Sequence, residues 1–237
     1  MKQTSFSHMK TFKQQGFTLV EIAIVLVIVG LLLGGVMKGQ ELITSAKVRS
    51  LVSKQQAVNM AWFSFQDRYQ AKPGDFAQAV AQLGAAVGTD GGGNGTVDIG
   101  ESDNVWDHLA LAGFLSGTFT PGAAPATIYQ CNTCMPNGFE SRINLANIGF
   151  TSAAAAAANP YKHRLFSGKI PSLVAQEVDS KLDDGIPLTG AIRVYTGVIP
   201  APGACSTGAG ATSTYNARTG GTTANAIEDC YITNGNF

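Results

Sequence analysis

The sequence has few charged residues and no excess of either sign. Lys and Arg number 16, Asp and Glu number 16, and charged residues make up 14% of the 237 positions, against about 25% in an ordinary globular protein. Without a basic excess, a nucleic-acid partner is not expected. Gly and Pro contribute only 28 and 9 residues, below the ~25–30% that marks low-complexity disorder. With 45% hydrophobic residues, we predict a folded chain with a mostly uncharged surface.

Sequence motifs for catalysis are also missing. The chain contains no phosphate-binding glycine loop, no nucleophile elbow and no paired histidine ligands. His108 is not part of a Ser, Cys or Asp constellation that the sequence can identify, so we expect a surface or capping histidine rather than a catalytic base. We therefore predict that the protein is not an enzyme.

The N-terminal region has only one acidic residue in its first 37 positions. Residues 1–16 contain three lysines and no acid, and residues 17–37 contain a single charge, Glu21. At ~1.5 Å per residue the second segment spans about 32 Å, which matches a hydrocarbon core of ~30 Å. It is too long for a secretory h-region, and no small-residue cleavage site follows it. We predict a retained transmembrane helix with its N-terminus in the cytoplasm.

Glu21 is unusual, because a carboxyl group within an apolar span is costly unless something pairs with it. One interpretation is that it lies near enough to the interface to reach water. The other requires a cation at the same depth. A cut after Gly16 would create such a cation, the α-amino group of Phe17, in this chain or in its neighbour.

The sequence GFTLVE at residues 16–21, with a short basic leader before it and an apolar run after it, resembles the class III signal of type IV pilins and pseudopilins. The resemblance implies that a membrane prepilin peptidase cleaves between Gly16 and Phe17 and that Phe17 is then N-methylated. It also implies that the Glu21 carboxylate meets the Phe17 amine of an adjacent subunit during assembly.

The same resemblance implies an α+β type IV pilin fold, in which a long N-terminal helix packs on a C-terminal globular head with an antiparallel β-sheet. We divide the chain accordingly. Residues 1–16 are the cleaved leader, 17–37 the transmembrane or filament-core helix, 38–72 its amphipathic continuation, and 73–237 the head.

The segment after residue 37 has a helical repeat. Apolar side chains recur at steps of three and four, with Gln55 in one slot; they are Val48, Leu51, Val58, Trp62, Phe65 and Tyr69. The pattern ends at Pro73-Gly74. We predict one helix over residues 17–70. A membrane anchor followed by an independent helix is the alternative.

The head shows weaker patterns. Helices are predicted near Asp75–Leu83, Asp103–Leu115 and Ser172–Leu182, the last with Ser172 as its N-cap, and strands over Arg142–Phe150, Ala191–Ile199 and Asp229–Thr233. Residues 178–197 also resemble a segment found in the heads of one branch of prepilin-like proteins.

A Gly-rich stretch offers the only metal candidates. Asp90, Asn94 and Asp98 recur every four residues and could supply oxygen ligands to Ca²⁺. The residue order of an EF-hand is absent, so a solvated turn cluster is the competing interpretation. No other cofactor is predicted.

The four cysteines agree with an exported head. Cys205 and Cys230 enclose a Gly-, Thr- and Ala-rich loop, and the resemblance implies a disulfide there, as in many type IV pilins. Cys131 and Cys134 form a CxxC pair, which occurs in redox motifs, half zinc sites and small structural disulfides. No thioredoxin-like pattern surrounds it, and we predict a structural disulfide.

These observations predict a structural subunit of the bacterial inner membrane. It would be processed by a prepilin peptidase and methyltransferase and placed by inner-membrane machinery into a homo-oligomeric or mixed helical filament. That filament would be an extracellular type IV pilus, used for adhesion, motility or DNA uptake, or a periplasmic type II secretion pseudopilus. The alternative is a bitopic membrane protein with a ligand-binding or enzymatic head.

Overall fold

The computed structural model describes residues 17–84, 89–119, 134–139, 141–147, 163–196, 205–207, 210–215 and 230–235. The chain divides into two compact units, and the division falls between Ile43 and Thr44. The segment boundaries predicted from the sequence, after residues 16, 37 and 72, stay predictions.

Helix α1 runs without interruption from Leu19 to Tyr69, which confirms the helix predicted over residues 17–70. No proline occurs in this range, so every backbone N–H is available to the helical ladder. Gln70 follows the last turn with a φ of 52°, and a left-handed residue of this kind ends many helices.

The first unit contains the apolar half of α1. Every residue from Phe17 to Lys38 is exposed, so large hydrophobic side chains project on all sides of the helix. By length and composition, α1 is apolar enough to cross a membrane. Soluble monomers rarely expose an apolar surface of this extent.

In the second unit, α1 buries one face in the core of the head, as the helical repeat predicts. The buried side chains are Val48, Leu51, Gln55, Val58, Ala61, Trp62 and Phe65. Full burial of each large apolar side chain is worth about 1.5–3 kcal/mol. The second half of α1 is therefore part of the core of the head.

The described residues after α1 contain three shorter α-helices: α2 (Ala79–Leu83), α3 (Asn104–Leu111) and α4 (Ser172–Leu182). The bounds of α4 are as predicted, whereas α2 and α3 are shorter than their predicted ranges. Ser172 is the first helical residue rather than the N-cap, a position that Pro171 occupies. Short 3-10 helices lie at Ile99–Glu101 and Gly210–Thr212.

The described strands are β1 (Ile143–Asn147), β2 (His163–Ile170), β3 (Ile192–Thr196), β4 (Ser206–Thr207), β5 (Thr214–Tyr215) and β6 (Cys230–Asn234). Four of them form an antiparallel sheet in the order β1-β2-β6-β3, and β4 pairs with β5. A long apolar helix joined to a part with a small antiparallel sheet confirms the predicted α+β class and is consistent with the pilin fold.

Strand β2 has no counterpart among the predicted strands, although it lies inside the sheet. Its residues His163, Arg164 and Ser167 are all buried. The Nε2 atom of His163 accepts the Val97 N–H at 3.0 Å, and Asn137 donates to Ser167 Oγ at 3.0 Å. Polar residues in a sequence suggest a loop, and partners from distant parts of the chain, such as these, allow them to occupy a buried strand.

Candidate functional site

The N-terminus of α1 is closed by reciprocal hydrogen bonds between Thr18 and Glu21. The Glu21 N–H donates to Thr18 Oγ1 at 3.3 Å, while Thr18 donates to Glu21 Oε2 through its N–H and through its hydroxyl, both at 3.0 Å. This is a capping box, in which a Thr and a Glu three residues later satisfy each other's backbone donors. Glu21 therefore has a partner within its own chain.

Only one oxygen of the Glu21 carboxylate takes part in this cap. Both bonds from Thr18 end on Oε2, and in the described part of the chain Oε1 accepts no hydrogen bond. Phe17 is 82% exposed, next to this cap. The spacing Thr-x-x-Glu before an apolar run is the known signature of this cap. Neither sequence-based interpretation of Glu21, access to interfacial water or pairing with a cation, includes it.

The apolar surface continues from this cap along the first unit. Its exposed large side chains within residues 17–37 are Phe17, Leu19, Val20, Ile22, Ile24, Val25, Leu26, Val27, Ile28, Val29, Leu31, Leu32, Leu33, Val36 and Met37. A helix that is hydrophobic on all sides requires an apolar environment on all sides. Lipid and a bundle of apolar helices are the two environments that provide it.

The loop proposed for Ca²⁺ forms a network of internal hydrogen bonds. Asp90 Oδ1 accepts the Val80 N–H at 2.8 Å, and Asn94 Oδ1 accepts the Thr96 N–H at 2.7 Å. Asn94 presents its amide NH₂ rather than its oxygen to Asp98, at 3.2 Å. This arrangement is typical of a turn cluster, and Ca²⁺ binding by these residues stays a prediction.

Three other carboxylates lie together where α4 ends. One oxygen each from Asp179, Asp183 and Asp184 lies within 4.8 Å of the others. Asp179 is fully buried, and this burial raises its pKa to about 6. The neighbouring Asp184 and Asp183 charges act in the same direction, whereas the hydrogen bonds from Tyr215 and from the Gly185 backbone oppose the shift. This cluster is not among the metal candidates predicted from the sequence, although carboxylates at positions i and i+4 of a helix end share one face.

The cysteines of the head are described in part. Cys205 and Cys230 form a disulfide with their Cα atoms 5.7 Å apart, as the family resemblance implies. Cys134 is disulfide-bonded as well, whereas Cys131 lies outside the described residues, as does Gly16.

His108 is a buried core residue, which corrects the expectation of a surface or capping histidine. Its side chain is fully buried, its Nδ1 accepts the Gly74 N–H at 2.9 Å, and its ring stacks on Phe65 with an interplanar angle of 14°. Burial disfavours the imidazolium and lowers the pKa from 6.5 to about 4. His108 therefore contributes to packing in its neutral form.

We expect this histidine to make the head sensitive to acid. Between about pH 6.5 and 4, His108 is protonated in the unfolded chain but stays neutral in the folded chain. The free energy of unfolding is therefore highest above pH 6.5 and decreases as the pH falls through this range. The difference in unfolding free energy between wild type and His108→Gln should shrink by about 2–3 kcal/mol from pH 7 to pH 4. Denaturant titrations at several pH values measure this difference, and a difference that does not vary with pH would contradict the prediction.

Comparison with known protein families finds a match in the N-terminal region. Residues 11–37 match the family model of the prokaryotic N-terminal methylation motif. No curated protein and no solved structure is similar enough to the whole chain to count as a match.

The matched segment covers the capping box and most of the apolar surface. The motif together with the apolar helix supports anchoring in a membrane as a precursor, and it points to a structural subunit. The chain therefore carries, at residues 11–37, the N-terminal methylation motif that is the signature of type IV pilins and pseudopilins.

Proposed function

We propose that the protein is a prepilin that assembles into a type IV pilus or a related filament. The leader is removed between Gly16 and Phe17, Phe17 is N-methylated, and the apolar half of α1 holds the subunit in the inner membrane until assembly. The three lysines of the leader keep that end in the cytoplasm, so the head lies on the opposite side.

One observation carries the proposal: the apolar side chains of residues 17–37 are exposed around the whole helix, within a segment that matches the methylation motif. A second environment that satisfies such a surface is a bundle of the same helices. Extraction from lipid into that bundle exchanges one apolar neighbour for another, so the surface stays covered throughout.

The geometry at Glu21 supports a role in assembly. The cap occupies Oε2 and leaves Oε1 to accept a further donor. Cleavage creates such a donor, the α-amino group of Phe17, and in a packed bundle the nearest one belongs to a neighbouring subunit. A buried pair of this kind often barely repays its desolvation, so its contribution is the register between subunits.

The processing step is tested by the mass of the N-terminus. The mature protein should begin at Phe17 and carry one extra methyl group. We expect Gly16→Ala to leave most of the protein as precursor, because the peptidase must accommodate a Cβ next to the scissile bond. Gly39→Ala is the matched control, since a methyl group there meets nothing within 4 Å. Normal processing of Gly16→Ala would contradict the assigned cleavage site.

The type of filament is tested by electron microscopy of sheared surface material and of periplasmic fractions, with antibodies against the head. Labelled surface fibres indicate a pilus, and labelling throughout a fibre distinguishes a major from a minor subunit. Labelling only in the periplasm indicates a secretion pseudopilus. A protein that retains Met1 and never forms multimers would overturn the proposal.

A further inference from the structure

The C-terminal turn of α1 lines a cavity in the head. The cavity has a volume of about 560 Å³, and small-molecule sites typically measure roughly 300–1,000 Å³. Gln66, Tyr69 and Gln70 of α1 contribute to its walls, as do Gly93 and Gly95 of the Gly-rich loop. Both glycines have a positive φ, of 66° and 85°, and neither fills the cavity with a side chain. All of these residues belong to the second unit.

Amide and hydroxyl groups on the walls of the cavity have unused hydrogen-bonding capacity. The side-chain amide of Gln66 and the hydroxyl of Tyr69 form no hydrogen bond within the described part of the chain. Gln70 donates through Nε2 to a backbone carbonyl of α1 at 2.8 Å, which leaves its Oε1. Gln78 accepts from Gln82 through Oε1 at 2.8 Å, which leaves its Nε2. The cavity therefore presents neutral donors and acceptors to a ligand.

An aromatic ring supplies an apolar part of the same cavity. The ring of Tyr69 packs against Phe65 and Phe76, with ring centroids 4.6 and 5.5 Å apart, so its orientation is fixed. Tyr69 and Phe76 both line the cavity, and Tyr69 is only half-buried. A fixed ring beside neutral polar groups suits a ligand that carries both C–H and O–H groups.

The lining of the cavity has no net charge. Its charged side chains are Lys72 and Asp75, one of each sign. Lys72 Nζ donates to Gly95 O, while the Asp75 carboxylate accepts the N–H groups of Asn94 and Gly95 at 2.9 and 2.7 Å. Both charges are thus engaged by the backbone of the Gly-rich loop, and the lining does not favour an ionic ligand of either sign.

We propose that this cavity binds one neutral sugar residue of an oligosaccharide. The hydroxyl groups of a sugar can exchange hydrogen bonds with the amides of Gln66, Gln70 and Gln78, and its C–H groups can pack against the Tyr69 ring. A purely apolar ligand would expel water from these amides without replacing its hydrogen bonds, which is costly. The cavity uses no residue of the apolar half of α1, so the inference does not depend on filament assembly. Its failure would leave the proposed function intact.

The test is binding of the full-length protein to immobilised neutral and acidic oligosaccharides. The protein is purified in a detergent whose headgroup is not a sugar, because a maltoside would compete for the cavity. We expect binding to neutral oligosaccharides, with an affinity that does not change with salt, since screening acts on charges. Failure of every neutral oligosaccharide to bind would overturn the proposal, as would binding restricted to acidic ones.

Variants locate the bound sugar. Gln66→Ala removes an unused amide and keeps a strong helix former in α1, and we expect the affinity for the same oligosaccharide to fall about fivefold or more. Tyr69→Phe keeps the ring and should weaken binding less than Tyr69→Leu. Gln56→Ala is the matched control, because it removes an exposed glutamine of the same helix outside the cavity. Unchanged affinity in Gln66→Ala, or an equal loss in Gln56→Ala, would overturn the proposed site.

A second measurement requires no variant. Saturation-transfer NMR, with irradiation of the aromatic protons of the protein, detects the sugar protons that contact a ring. We expect the transfer to be concentrated on the C–H protons of one sugar residue of the bound oligosaccharide. Transfer spread evenly over the whole oligosaccharide, or no transfer, would contradict the site even if Tyr69→Leu failed to fold.

Discussion

Glu21→Gln is expected to lower the yield of assembled filaments about tenfold or more, while α1 still begins at the same place. Gln at this position retains the capping box, since its side-chain oxygen can accept the Thr18 donors. What it removes is the negative charge that the Phe17 amine of a neighbouring subunit would meet. Removing one member of a buried pair costs about 3–5 kcal/mol, and every 1.4 kcal/mol is a factor of about ten in an equilibrium.

Thr18→Ala is the matched control, because it removes the side chain of the cap and keeps the charge. Loss of a capping side chain costs about 0.5–2 kcal/mol, and residues of α1 after the first turn retain their helical bonds. We expect filament yield within about threefold of the wild type. Glu21→Ala removes both the capping side chain and the negative charge, and its filament yield should be no higher than that of Glu21→Gln.

Sheared filaments, quantified by immunoblot against the membrane pool of the same cells, measure these yields. The N-terminal mass of each variant shows whether it was processed. If Glu21→Gln assembles normally, the charge is not needed and the pairing is wrong. If Thr18→Ala is as defective as Glu21→Gln, the cap rather than the charge explains the requirement for Glu21.

The long helix could be predicted because its information is local. The steps of three and four that place Leu51, Trp62 and Phe65 on one face are visible in the sequence, and the same face is buried in the structure. The absence of proline before Pro73 allows the helix to continue without interruption. The capping box at Thr18 and Glu21 is equally local and visible in the sequence. The interpretation of Glu21 considered its charge and not this cap.

The sheet and the environment of the buried Asp179 depend on contacts between distant residues. β2 contains Arg164, which is fully buried, and no local pattern predicts that a charged residue lies inside a sheet. The carboxylates of Asp179, Asp183 and Asp184 are close in the sequence, but the hydrogen bond from Tyr215 of β5 to the buried Asp179 joins residues 36 positions apart. The regular spacing of Asp90, Asn94 and Asp98 is local and visible in the sequence, and Ca²⁺ binding by these residues stays a prediction.

The division of the chain also affects how the head is isolated. The head predicted from the sequence begins at residue 73, so a fragment that begins there would lack all of α1. In the structure, Val48, Leu51 and Phe65 belong to the core of the second unit, and that fragment would lose them. A soluble head should therefore begin near Thr44, where the second unit starts.

The double substitution Cys205→Ala and Cys230→Ala is expected to lower the stability of the head by about 3.5 kcal/mol, the chain-entropy cost of releasing a loop with a sequence separation of 25. Both sulfur atoms are buried, and Cys230 begins β6, a strand paired on both sides. The melting temperature should fall by roughly 10 °C.

Alanine variants isolate this bond, since a reducing agent would also reach the disulfide of Cys134. Removal of the leader should proceed as in the wild type, because the cleavage motif lies in the first unit and the disulfide in the second. Ala211→Ser, an exposed change within the same loop, should shift the melting temperature by no more than about 1 °C. A double variant that melts within about 1 °C of the wild type would contradict this prediction. The loop would then be held by β4, β5 and the Tyr215–Asp179 hydrogen bond, and the disulfide would add nothing to the equilibrium stability of the head.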